Sequence, residues 1–75
     1  MVLISTKPNA EEYSYEVFWS EEDQEFVAIV KEFSGLSWLE KEKTKALAEL
    51  KNLVARLIDG YESEGKDYPK PLRVS

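Results

Sequence analysis

Seventy-five residues, 43% of them hydrophobic and 33% charged, with a net charge of −5, describe one small globular domain. Such a chain is too apolar for disorder and short enough that its core is marginal. It holds no cysteine and no histidine, which excludes a disulfide framework and a thiolate metal site and removes the usual general base and the commonest metal ligand.

No apolar run approaches the length of a transmembrane helix. Met1–Ile4 is too short for a signal-peptide core and has no basic segment before it, so a cytoplasmic location is expected. The charge is uneven. Residues 11–32 carry eight acids (Glu11, Glu12, Glu16, Glu21, Glu22, Asp23, Glu25, Glu32) against Lys31, whereas residues 40–56 carry Glu40, Glu42 and Glu49 against Lys41, Lys43, Lys45, Lys51 and Arg56. The acidic half would repel nucleic acid, which needs clustered cations for its phosphates, and would steer toward a basic partner. The lysines of the second half lack interleaved aromatics and read as a solvated helix face.

In chain order, residues 1–12 are expected to form a tail or an edge strand, interrupted by Pro8 and Asn9. Residues 13–19 alternate as a strand, with Tyr13, Tyr15, Val17 and Trp19 toward the core and Phe18 on the outer side. Residues 20–24 are a polar connection of hairpin length. The second strand, 25–30, is apolar on both faces, with Phe26, Ala28 and Val30 on one and Val27 and Ile29 on the other, as a central strand requires. Residues 31–35 turn the chain, Gly35 supplying a positive φ, and Leu36–Leu39 make a third, short strand.

The spacing of Leu47, Leu50, Val54, Leu57, Ile58 and Tyr61 predicts a helix over 40–64, its stripe widened by Ala46 and Leu53. Glu40 and Glu42 fall at its expected start and Gly65 at its expected C′ position. Pro69 and Pro71 then force an extended path, with a fourth strand possible at Leu72–Ser75. The expected fold is a two-layer α+β domain over residues 13–75, β-β-β-α with an optional final strand: an antiparallel sheet with one helix on one face. Phe18, Val27 and Ile29 on the other face invite a partner, and self-association as a homodimer or higher oligomer is a common remedy for a core this small.

The order of these segments resembles the HicB family of antitoxins, including its small single-domain members. The paired strands YSYEVFWSEEDQEFVAIV, the turn Glu32-Phe33-Ser34-Gly35-Leu36, the Ala46-Leu47 pair near the helix start and Gly65-x-x-x-Pro69-x-Pro71 carry the likeness from Tyr13 to Leu72. EFSGLSWL is similar to an actinobacterial branch. Both prolines of the family's turn are missing, and Lys41-Glu42 replace its usual Asp-Thr.

The resemblance implies a partial RNase H-like fold and a non-enzymatic antitoxin. Its partner would be a HicA-type toxin, a small basic messenger-RNA-cleaving protein whose catalytic histidine the antitoxin blocks. Family members commonly add a C-terminal DNA-binding domain. This chain stops at Ser75, so by itself it is expected not to bind operator DNA. The alternative is an orphan oligomeric protein-binding module of the same fold with no cognate toxin.

The candidate toxin contacts are Glu21, Glu22, Asp23 and Glu25, whose charge complements a basic RNA-binding surface. A solvated hairpin turn accounts for them equally well. Phe33 and Trp38, flanking Gly35, are either core residues or interface anchors, and Trp19 has the same two readings with the core one favoured. The grouped carboxylates also raise divalent-metal nuclease chemistry, but they lack the Asp/Asn-Gly pattern of a calcium loop. No catalytic, cofactor-binding or metal-binding residue is therefore expected.

Overall fold

Alternating side chains put one face of each strand under a single helix in the computed structural model, which describes residues 9–72. Strands β1 (Tyr15–Ser20), β2 (Glu25–Val30) and β3 (Ser37–Glu40) form one antiparallel sheet in that order, and helix α1 (Lys43–Ser63) crosses one side of it. This is the expected two-layer α+β arrangement. Residues 73–75 of the proposed fourth strand and residues 1–8 of the segment 1–12 lie outside the described residues.

Register fixes the two faces. Tyr15, Val17 and Trp19 pair with Val30, Ala28 and Phe26, and Trp38 pairs with Ala28, so all of these share the helix side. Ala28 and Val30 are sealed there, at 0% and 2% exposure, by Ala46, Leu50, Val54 and Ile58 of α1. Four residues apart, these helical positions form one ridge. The ridge passes through Ala46, so Leu47 is left half-buried outside the core. Small side chains on the central strand and in the first turn of the helix allow the two layers to close together.

Helix α1 starts at Lys43 rather than at Glu40, because residues 37–40 complete a ladder with β2 that ends in the Phe26–Glu40 pair. Its cap residue, Glu42, is extended and makes no side-chain cap bond. The Glu40 carboxylate instead accepts a 2.9 Å bond from Trp38 Nε1 and lies 3.9 Å from Lys45 Nζ. At the other end Gly65 sits at φ 71°, as expected. The Gly65 N–H donates to Glu62 O and the Lys66 N–H to Tyr61 O, the double bond pattern that closes a helix on a left-handed glycine.

Residues Ala10–Glu12 are neither strand nor loose tail. They form a 3-10 turn capped by Asn9, whose side chain accepts from Glu11 N at 2.9 Å. Tyr15 Oη donates to Ala10 O at 2.6 Å and Lys51 Nζ reaches Glu11 at 2.8 Å, which ties the turn to sheet and helix. Burial pushes the Tyr15 phenol up to about 12, with the nearby Glu11 and Glu32 charges adding to the shift.

Tyr13 precedes β1, yet it is buried. Its ring lies 5.3 Å from that of Phe33, and its hydroxyl donates to Pro69 O at 2.5 Å. The Glu32 carboxylate makes a second long-range tie. It accepts from Ser14 N, from Ser14 Oγ and from Leu72 N at 2.7 Å. Burial raises the Glu32 carboxyl, but these hydrogen bonds outweigh it and hold the group below its ordinary value. The two ties bring the Pro69–Leu72 segment back beside the start of β1.

Candidate protein-binding surface at the acidic hairpin

The connection between β1 and β2 is a structured tip. Gln24 takes a left-handed φ of 56°, and its N–H donates to Ser20 O at 2.8 Å. Ser20 Oγ accepts from Asp23 N at 3.2 Å and donates to Asp23 Oδ2 at 2.9 Å. The Gln24 side-chain amide donates to Glu21 O at 2.7 Å, and Lys41 Nζ donates to Gln24 O at 3.3 Å. Local bonds of this kind are what polar turn residues supply. Here they leave Glu21, Glu22 and Asp23 exposed at one end of the sheet.

Trp19 completes the tip. Of its two readings, core residue and interface anchor, the sequence favours the core one. Register does put it on the helix side, but it remains 42% exposed. Its ring meets Phe26 edge-on at 5.0 Å, and its Nε1 donates to Glu21 Oε2 at 2.9 Å. Phe18, on the opposite face, is 46% exposed. Two large aromatics thus stand back to back behind three carboxylates. The sequence signal for Trp19 was its place one residue before the polar turn, at the margin of the region a single helix can cover.

The remaining expected contacts separate from this tip. Glu25 pairs with Ser20 at the base of the hairpin and, by alternation, stands on the face away from the helix with Val27 and Ile29. Phe33 follows the other end of β2 and is 7% exposed in the core, so of its two readings the structure supports the core one. Trp38 is half-buried on the helix side, packed against the core and bonded to Glu40. The structure brings Glu21, Glu22 and Asp23 together with Trp19, and does not bring Phe33 or Trp38 to them.

Among the described residues, no group of three or more carboxylates, histidines or cysteines is placed to hold a metal ion, and no helix is long and apolar enough to cross a membrane. The tip can attract a basic surface and offer it one flat aromatic ring. Comparison of the chain with protein-family models, with curated proteins and with solved structures found no match.

Proposed function

We propose that this chain is a cytoplasmic, HicB-like antitoxin: a protein-binding module that neutralises a small basic, RNA-cleaving HicA-type toxin by contact and catalyses no reaction itself. The observation that carries the reading is the preorganised tip, with Trp19 exposed and hydrogen-bonded to Glu21 beside Glu22 and Asp23. An RNA-binding surface is positively charged because it must neutralise phosphates. An acidic tip steers onto that surface, and a partly exposed tryptophan supplies the desolvated anchor that charge alone lacks. Because the Glu21 and Asp23 carboxylates are already hydrogen-bonded, less ordering entropy is lost on binding. The motif order supports the toxin class named.

The experiment is titration of the full chain with the HicA-type protein encoded beside it, together with rescue of toxin-arrested growth. A complex at micromolar concentration or tighter is expected. Trp19→Ala should weaken it by at least about tenfold, and joint reversal of Glu21, Glu22 and Asp23 to lysine by about a hundredfold or more. No complex at micromolar concentration would overturn the toxin reading and leave the module without a cognate toxin.

A further inference from the structure

The side of the sheet turned away from the helix carries a pattern of its own. Pairing places Glu16 and Phe18 of β1, Glu25, Val27 and Ile29 of β2, and Ser37 and Leu39 of β3 on it. Phe18, Val27 and Leu39 lie level across the three strands. Phe18 and Leu39 are 46% and 38% exposed, while Val27 between them is at 9%. The ladder runs one step past β2, where the Lys31 N–H donates to Ser14 O at 2.9 Å, so Lys31 follows Ile29 on this face. The outward row of the central strand therefore reads Glu25, Val27, Ile29, Lys31: acid, two branched aliphatics, base. Reversed, this row is its own complement.

We propose that a second copy of this chain covers this face, the two sheets stacked about a twofold axis that crosses the strands at the level of Ala28. A twofold contact must be self-complementary. In this one, Glu25 meets the partner's Lys31, Val27 meets the partner's Ile29, and the same contacts repeat on the other side of the axis. On β1 the same axis sets Phe18 over the stem of the partner's Glu16, whose carboxylate reaches the open edge of the sheet. The partner's Leu39 comes over Ser37, at the mouth of a hollow of about 410 Å³ bounded by Val27, Ile29, Leu36 and Ser37. An axis along β2 would instead set Glu25 on Glu25 and Lys31 on Lys31, and like charges face to face oppose association. The face differs from the hairpin turn in this respect, because the exposed turn residues Glu21, Glu22 and Asp23 carry one sign of charge and the outward row of β2 carries both.

Three strands of this length at ordinary spacing present a face of roughly 15 by 20 Å, about 600 Å² over the two copies. That is below the area of a permanent dimer, so the association should be weak and reversible and depend on concentration. The two acidic tips of such a dimer point in opposite directions and both stay open. The inference stands on the sheet face and does not depend on the antitoxin reading.

Sedimentation equilibrium of the full chain tests it, with circular dichroism to verify folding. The mass should move from monomer to dimer with concentration. Glu25→Lys and Lys31→Glu should each weaken the dimer by at least about tenfold. The double exchange, E25K with K31E, should restore it to within about threefold of wild type. Within one chain these residues are about 20 Å apart at ordinary strand rise, so the rescue can arise only between copies. A monomer at every concentration, single exchanges without effect, or a double exchange as weak as either single would overturn the proposal. Reversal of Glu21, Glu22 and Asp23 should leave the dimer mass unchanged, which separates failure here from failure of toxin binding.

Discussion

The two faces of β2 are built from the same kinds of residue and have opposite fates. On the helix side Ala28 and Val30 are sealed by four residues of α1. On the other side Val27 reaches 9% exposure, while Phe18 and Leu39, level with it on the neighbouring strands, stay 46% and 38% exposed. Apolar content alone does not distinguish these faces. What distinguishes them is that, among the described residues, one amphipathic helix is present and the sheet has two apolar faces to cover. Two large apolar side chains left partly to water on the same face mark it as a candidate interaction surface.

This difference predicts unequal costs. Leu50→Ala, under the helix and fully buried, should destabilise the monomer by about 3–4 kcal/mol, since both transfer energy and a cavity are lost. Phe18→Ser on the outer face should cost the monomer less than about 1 kcal/mol. Urea denaturation at low protein concentration compares the two directly. Equal losses would mean that both faces are already core within one chain.

The helix side also depends on its polar ties. Glu32→Gln weakens the bonds to Ser14 and Leu72 and should cost about 1–2 kcal/mol at neutral pH, a figure reduced for partial solvent exposure. The sign with pH follows from the lowered carboxyl. Its contribution is full above its ordinary value of 4.5 and disappears as pH falls through the folded value below that. The gap between wild type and Glu32→Gln, measured by denaturation from pH 7 down to the acid limit of folding, should therefore narrow. A gap that widens toward acid would remove Glu32 from this role.

The smallest expected effect is a gain. Gly60 lies inside α1, is exposed, and has open space around the position of an added Cβ. Gly60→Ala should stabilise the monomer by about 1 kcal/mol without touching either face of the sheet. Thermal unfolding reads this. A loss would show that the helix needs flexibility at that turn.

Much of this was legible in the residues because it is local. The period of Leu50, Val54, Leu57, Ile58 and Tyr61 marks the helix, Gly65 its stop, the polar run after Ser20 the hairpin, and the alternation from Phe26 to Val30 the two faces of the central strand. Glu21, Glu22 and Asp23 read as one acidic turn for the same reason. Trp19, Phe33 and Leu47 were not legible in the same way. Alternation names the side on which a residue lies, whereas its exposure depends on how far the single helix extends over that side. The pairing of Phe26 with Glu40 set where the helix could begin. Two bonds spanning 56 and 40 residues, Tyr13 to Pro69 and Glu32 to Leu72, set where the Pro69–Leu72 segment lies. Periodicity is a property of neighbouring residues and could be read without the fold. Coverage depends on contacts between residues far apart in the chain, so only the tertiary structure could decide it.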